Sequence, residues 1–313
     1  MSTAGECADR GRPYRGRLAP SPTGRLHLGH ARTFWAAQER ARNAGGTLIL
    51  RNDDLDIARC RPEFVEAVYE DLGWFGLRWD EGADVGGPCG PYEQSRRRGH
   101  YLEVFARLLE RGAIYPCRCS RKDVLRALSA PHEGEEEPVY PGTCRPEDAR
   151  EGGAICDSML PSLQTGAREL RDADGGRINW RFRVPGGEAV SFMDGGFGRQ
   201  CLLAGRDFGD FVVWRGDGLP AYHLAVVADD HAMGVTEVVR GEDLLTSTAR
   251  QLLLYRELDL QPPGYFHCPL MRDGRGERLA KRHDALSLRE LREGGASPEN
   301  LRRKWRTDAL GGD

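Results

Sequence analysis

The sequence predicts an α/β fold built on a parallel sheet, and three observations predict it. Apolar strands and amphipathic helices alternate from residue 14 to residue 76, and the same alternation returns between residues 211 and 260. Alternation of this kind is typical of parallel βαβ units. From Cys117 to about Arg199 the chain loses the rhythm. We therefore interpret this stretch as a domain inserted between two halves of one sheet.

The first half opens with a short apolar strand that stops at Pro20 and Pro22, because proline cannot donate to a strand ladder. Its predicted elements are, in order, a strand over 14–21, a helix over 30–45, a strand from residue 47 and a helix over 61–76. In parallel sheets, ligands bind at the carboxyl ends of the strands. Residues 21–30 and 53–56 both follow strands, so we expect the site there.

The remaining elements follow from the same patterns. They are a helix over 95–111, short strands near 179–185 and 189–194, a helix over 247–260, and two helices over 287–295 and 297–310. This order divides the chain into four parts: 14–115 and 206–268 as the halves of a Rossmann-type catalytic domain, 116–205 as the insert, and 269–313 as a basic helical segment.

Composition describes an ordinary globular protein, with 39% hydrophobic and 30% charged residues and a net charge of −3 over 313 residues. We find no apolar run near the roughly 20 residues of a membrane span, and no apolar core of a signal peptide at the N-terminus. We therefore expect a cytoplasmic monomer without a membrane partner. Because disulfides are rare in that compartment, we expect the nine cysteines to be free thiols or metal ligands and not disulfides.

The stretch RLAPSPTGRLHLGH, residues 17–30, combines a strand end, a glycine and two histidines at the start of a helix. A helix N-terminus presents unpaired N–H groups and attracts phosphate. His27 and His30, one turn apart, could stabilise the charge that develops on an attacked phosphate, and Gly29 would let a nucleotide approach closely. A turn with two exposed histidines is the alternative.

This stretch resembles the HIGH signature of class I aminoacyl-tRNA synthetases, in the form found in glutamyl-tRNA synthetases. Residues 276–288, GERLAKRHDALSL, resemble the family's lysine loop, with Arg278 in place of its first lysine and Ala280 in place of its serine. The resemblance implies ATP with Mg²⁺ as substrate and His27, His30 and Lys281 as catalytic residues; a surface charge cluster is the alternative for Lys281. The implied ATP-binding residues are Pro20, Thr23, Gly24, His27, Gly29, His30, Arg278 and Lys281.

The same resemblance extends over residues 218–258 and implies a glutamate site. Arg17, Tyr222 and Arg240 match positions that contact the amino acid in the family, and Ser21 belongs to the same implied set. Arginine suits a carboxylate because its guanidinium binds both oxygens. Asp53 stands where the family has Glu and would hold the substrate ammonium; an N-cap carboxylate for the next helix is the alternative.

Cys117 and Cys119 form a C-x-C pair, and Cys144 follows in YPGTCR. Three thiolates need a fourth ligand for a structural zinc, and by composition His132 is the usual type of ligand. The short members of the resembled family have C-x-C…Y-x-x-x-C here. The resemblance therefore implies one Zn²⁺ per chain, held by Cys117, Cys119, Tyr140 and Cys144.

The chain ends soon after the lysine loop, whereas glutamyl-tRNA synthetases continue into an anticodon-binding part. We therefore expect a short family member that activates glutamate with ATP, without tRNA, and transfers it to the queuosine base of tRNA(Asp). The alternatives are a truncated synthetase that charges tRNA(Glu), and a degenerate paralogue that binds RNA or nucleotide. Residues 272–306 hold 11 Lys and Arg against six Asp and Glu, which favours either a solvated helical face or phosphate contacts.

Lys281→Ala is expected to reduce adenylate formation sharply and to leave glutamate binding largely intact. The reason is that this lysine would stabilise charge on the departing phosphates and would not touch the amino acid. Pyrophosphate exchange and equilibrium glutamate binding measure the two effects separately. An equal loss of both would contradict the role.

Overall fold

The structure is a computed structural model that describes residues 12–120, 122, 123, 139–147, 177–271 and 287–310. Its strands are β1 (Arg15–Leu18), β2 (Thr47–Leu50), β3 (Glu81–Gly82), β4 (Ile114–Cys117), β5 (Asn179–Phe182), β6 (Ala189–Asp194), β7 (Gly198–Leu203), β8 (Phe211–Trp214), β9 (Glu237–Gly241) and β10 (Gly264–Cys268). Its α-helices are α1 (Leu28–Asn43), α2 (Pro62–Phe75), α3 (Arg98–Glu110), α4 (Tyr222–Ala232), α5 (Leu245–Glu257), α6 (Leu288–Glu293) and α7 (Pro298–Leu310).

The expected parallel sheet is present in two adjoining pieces. Strands β1, β2 and β3 pair in parallel, and β9 pairs in parallel with β10. The N–H of Thr236, just before β9, donates to the Arg15 carbonyl at 2.9 Å, which places β9 beside β1. The strands β1, β2, β9 and β10 therefore end at one edge. The chain thus has mixed α/β content around a parallel sheet.

Strands of the predicted insert pair with strands that lie outside it in the sequence. Strand β6 pairs in parallel with β10 through Asp194 and Tyr265, and β7 continues this sheet as an antiparallel hairpin. Strands β4, β5 and β8 form a separate antiparallel sheet. These pairings cross the boundary expected between residues 205 and 206. The four-part division remains a prediction about sequence segments.

Several element ends differ from the expected ones by two or three residues. Strand β1 ends at Leu18 because the prolines follow it closely. Helix α1 begins at Leu28, two residues before the predicted start, since His27 has extended backbone angles and caps the helix. Helix α2 ends at Phe75 and is capped by Gly76, whose φ of 85° favours glycine.

Two hydrophobic cores flank the sheet. One packs α1 and α2 against β1 and β2, with Leu18 and Phe75 fully buried, and Trp305 of α7 packs against it. The other joins α3, α4 and α5 to the antiparallel sheet around Phe105, Trp180 and Trp214. Among the described residues, no helix is both long and apolar enough to cross a bilayer.

Candidate active site and thiol cluster

A cavity of about 540 Å³ lies at the carboxyl ends of β1, β2, β9 and β10. All eleven predicted nucleotide and amino-acid site residues that the structure describes line it, although they come from distant parts of the chain. They are Arg17, Pro20, Ser21, Thr23, Gly24, His27, Gly29, His30, Asp53, Tyr222 and Arg240. A volume of this size accommodates a small-molecule ligand.

The two histidines stand together at the start of α1. Their ring centroids are 3.7 Å apart with the planes 28° from parallel, and the His27 N–H donates to Nδ1 of His30 at 3.3 Å. A Cβ at Gly29 would lie 3.1 Å from the His27 ring, so a larger residue there would displace the ring by a few tenths of an ångström. His27 is half-buried as the helix cap and His30 is exposed, and both rings border the cavity.

Asp53 is held by its neighbour Arg51. The Arg51 Nε–H donates to Oδ1 of Asp53 at 2.7 Å, and Nη1 donates to Asp230 of α4 at 2.7 Å. Burial raises the pKa of Asp53 to about 6, against the lowering effect of Arg51. Asp53 is not the cap of the next helix, because Arg61 occupies the N-cap of α2.

Two predicted arginines, from the neighbouring strands β1 and β9, line the cavity. Arg17 of β1 donates from Nη1 to the Val239 carbonyl at 3.1 Å, and it is 5% exposed. Arg240 of β9 is also 5% exposed and donates from Nη1 to the hydroxyl of Tyr222 at 3.3 Å. The Tyr222 ring remains 41% exposed. The arrangement offers two buried cations and a phenol to an anionic ligand.

The predicted residues Arg278 and Lys281 lie outside the described residues, as does His132. The residues that flank the segment 272–286 do lie at the cavity. Met271 lines it, and Ser287 forms an antiparallel bridge with His27. Leu288 also donates its N–H to the Leu26 carbonyl at 2.8 Å. Of the described residues next to this segment, Met271 therefore lies at the cavity and Ser287 lies against His27.

The cysteines of the C-x-C motif meet Cys144 and Tyr140 in a second cluster. The sulfurs of Cys119 and Cys144 are 3.5 Å apart, and the Tyr140 hydroxyl lies 3.4 Å from Cys117 Sγ and 3.5 Å from Cys119 Sγ. Tetrahedral zinc with bonds of about 2.3 Å separates its sulfurs by about 3.8 Å. The donor set therefore fits such an ion, since the three sulfurs lie within 4.8 Å of one another.

A buried arginine borders this cluster. Arg181 of β5 donates from Nε to Cys117 Sγ at 3.2 Å, and its guanidinium lies 3.9 Å from the centroid of the Tyr140 ring. Burial raises the pKa of Cys119 to about 11, so without a metal this thiol is neutral at pH 7. A cation beside the cluster offsets part of the negative charge that thiolate ligands would bring.

Sequence reasoning missed the residues that support these side chains. Arg51, Asp229 and Asp230 lie beneath the cavity, and Asp194 and His267 lie behind Arg240. One signal was available: two adjacent carboxylates, Asp229 and Asp230, interrupt an otherwise apolar helix, and buried carboxylates need cationic partners. His267 in the strand β10 has no comparable signal.

Comparison with known proteins agrees with this geometry. Residues 14–307 match the model of the catalytic domain of class I tRNA synthetases (E and Q). The chain belongs to this synthetase family. It is 49% identical over 287 residues to the glutamyl-Q tRNA(Asp) synthetase of Nitratidesulfovibrio vulgaris. The match covers 92% of this chain and 83% of that relative.

Longer family members match over part of their length. The chain is 43% identical to glutamate–tRNA ligase 2 of Acidithiobacillus ferrooxidans, and the match covers 92% of this chain and 56% of that ligase. A crystal structure of a glutamate tRNA ligase from Elizabethkingia meningosepticum superposes with a TM-score of 0.70 at 28% identity, over 91% of this chain and 53% of the ligase. The chain thus spans about half the length of these longer relatives.

Proposed function

We propose that this synthetase activates glutamate with ATP, without tRNA, and transfers it to the queuosine base of tRNA(Asp). The observation that carries the proposal is the single cavity lined by all eleven described candidate residues. The name of the relative at 49% identity, glutamyl-Q tRNA(Asp) synthetase, supports the same reaction. A truncated synthetase that charges tRNA(Glu), or a paralogue without activity, would have to retain this site for another purpose.

In the first step, the glutamate α-carboxylate attacks the α-phosphorus of ATP, and the bond to pyrophosphate breaks. His27 and His30, at the positive end of α1, stabilise negative charge on the α-phosphate oxygens. Arg278 and Lys281 would contact the departing phosphates. Mg²⁺ accompanies ATP and neutralises phosphate charge.

Glutamate binding uses groups of opposite charge. Arg17 and Arg240, with Tyr222, bind the side-chain carboxylate of glutamate, since both arginines line the cavity. Ser21 lines the same wall, and Asp53 binds the ammonium group. The products of this step are glutamyl-adenylate and pyrophosphate.

In the second step, a hydroxyl of the acceptor nucleoside attacks the glutamyl carbonyl carbon, and AMP leaves. A second cavity of about 940 Å³ gives the acceptor a place beside the adenylate. Tyr222, Asp243 and Leu244 line both cavities, so the two spaces share a wall. The basic segment 272–306 would contribute phosphate contacts to the RNA, and salt would weaken them.

The thiol cluster is proposed to hold one structural Zn²⁺ through Cys117, Cys119, Cys144 and Tyr140. Zinc would tie β4 to residues 140–144 and has no part in the chemical steps. A phenolate is an unusual fourth ligand, and its support is the short distance from the hydroxyl to two sulfurs.

The deciding experiment is pyrophosphate exchange with glutamate in the absence of tRNA, with aspartate and glutamine as controls. Exchange with glutamate alone, followed by transfer of labelled glutamate only to tRNA(Asp) that carries queuosine, is the expected result. Arg240→Ala should abolish exchange, whereas Arg256→Ala, an arginine on the surface of α5, should retain it. Exchange that requires tRNA(Glu) would indicate a charging enzyme, and silence throughout would indicate a degenerate paralogue.

Glutamate affinity should fall as the pH drops through about 6, where Asp53 gains a proton and loses its attraction for the ammonium group. The limiting slope is about tenfold per pH unit. Binding measured between pH 5 and 8 gives the profile. Asp53→Asn should bind weakly at every pH, while Asp56→Asn, a nearby carboxylate outside the cavity lining, should keep the original profile. A flat profile in the unmodified protein would contradict the role of Asp53.

The purified protein should contain one equivalent of zinc by atomic emission. Tyr140→Phe should weaken zinc retention against a chelator by at least about tenfold, which corresponds to the loss of roughly 1.4 kcal/mol. Cys201→Ser, an exposed thiol apart from the cluster, is the matched control and should change nothing. Full retention in Tyr140→Phe would exclude tyrosine as a ligand.

A further inference from the structure

Behind Arg240, two buried side chains form a chain of hydrogen bonds that ends in a carboxylate. Nε of Arg240 lies 3.1 Å from Nε2 of His267, and Nδ1 of His267 lies 2.5 Å from Oδ2 of Asp194. The exposed fractions are 5% for Arg240, 0% for His267 and 2% for Asp194. The three groups are therefore shielded from water, and His267 joins the guanidinium to the carboxylate.

The chemistry of the donors fixes the protonation of the imidazole. Arg240 can only donate, so Nε2 of His267 must present its lone pair. Asp194 can only accept when ionised, so Nδ1 of His267 must carry the proton. Burial and the charge of Arg240 lower the pKa of His267, which keeps the ring neutral. The opposite tautomer would point an N–H at another N–H.

Asp194 is itself fixed by the backbone. Its Oδ1 accepts from the N–H groups of Gly196 and Phe197, each at 2.9 Å, and from the N–H of His267 at 3.2 Å. Asp194 ends β6, at the one residue where β6 is in register with β10. The orientation of the Asp194 carboxylate is therefore fixed, and its bond to Nδ1 fixes the orientation of the His267 ring.

Four other hydrogen bonds of Arg240 involve its two outer nitrogens. Nη1 donates to Gln251 at 2.9 Å and Nη2 donates to Thr248 at 2.7 Å, both on α5. These bonds hold the outer nitrogens, whereas His267 alone among the described residues accepts from Nε. The bond from Nε helps to hold the plane of the guanidinium, and the longer bonds, to the Tyr222 hydroxyl and the Leu244 carbonyl at 3.3 Å each, are the ones that a substrate carboxylate would replace.

We propose that Asp194 and His267 are positioning residues that set the plane of Arg240 for binding of the substrate carboxylate. The proposal rests on the proposed function of Arg240 as a glutamate-binding residue. It assigns to Asp194, in the segment predicted as the insert, a part in amino-acid recognition. Neither residue touches the substrate.

The first test is the tautomer of His267 by long-range ¹H–¹⁵N NMR of the unmodified protein. The expected result is a protonated Nδ1 and an unprotonated Nε2 at neutral pH. His100 provides an internal reference of the opposite kind, because its Nε2 must donate to the Ala228 carbonyl at 3.1 Å. A doubly protonated His267, or one protonated at Nε2, would overturn the proposal whether or not the protein is active.

The second test separates positioning from folding by the kinetics of exchange. In Asp194→Asn and His267→Phe, the KM for glutamate should rise at least about tenfold, while the KM for ATP stays within about twofold. His100→Phe, with a histidine outside this chain replaced, should leave both values unchanged. Asp194→Asn keeps the shape of the side chain, so it remains informative if His267→Phe fails to fold.

The outcomes distinguish the two proposals. An unchanged KM for glutamate in a folded Asp194→Asn variant would show that the pair is only structural. If Arg240→Ala binds glutamate normally, the proposed role of Arg240 fails, and positioning fails with it even when the tautomer is as expected. If Arg240→Ala loses glutamate and Asp194→Asn does not, the proposed function stands and only the positioning role falls.

Discussion

The arrangement of the site depends on one fully buried cation, Arg51, at the end of β2. Its guanidinium lies 2.7 Å from Asp53 and 2.7 Å from Asp230, and 3.8 Å from Asp229. Asp229 in turn accepts from Arg97 at 2.6 Å. One cluster of ionic groups therefore joins β2, α3 and α4, which belong to different halves of the predicted catalytic domain.

Such a cluster is a poor source of stability but a strong constraint on geometry. The free energy needed to remove two ions from water nearly cancels the free energy gained from their attraction. Removing one partner of a buried pair, by contrast, commonly destabilises the fold by about 3–5 kcal/mol. Arg51 is 0% exposed and three carboxylates surround it, so no part of the cluster can be lost singly at low cost. The same constraint holds Asp53 at the cavity and accounts for its raised pKa, because its carboxyl is buried and shares its cation.

The sequence predicted the parts of this protein that local patterns encode. Helical periodicity located α1 to within two residues. The prolines after β1 predicted where that strand stops and the candidate site begins. The candidate ATP and glutamate residues came from motifs, and all those described line one cavity. The pairing of β6 with β10 could not be predicted in this way, because it joins residues 194 and 265 through a single position and leaves no periodic signal. The contacts of Arg51 with Asp230 and of His267 with Asp194 were hidden for a related reason, since each joins residues that are distant in sequence.

The predicted insert is tied to both cavities by side chains as well as by strands. Asp194 reaches Arg240 through His267, on the side of the first cavity. Arg181 lines the second cavity and also contacts the thiol cluster through Cys117. If zinc orders the cluster, it also fixes the wall against which the acceptor would lie. Under the proposed roles, the insert would contribute to amino-acid recognition through Asp194 and to acceptor placement through Arg181, so both steps of the proposed reaction would involve it.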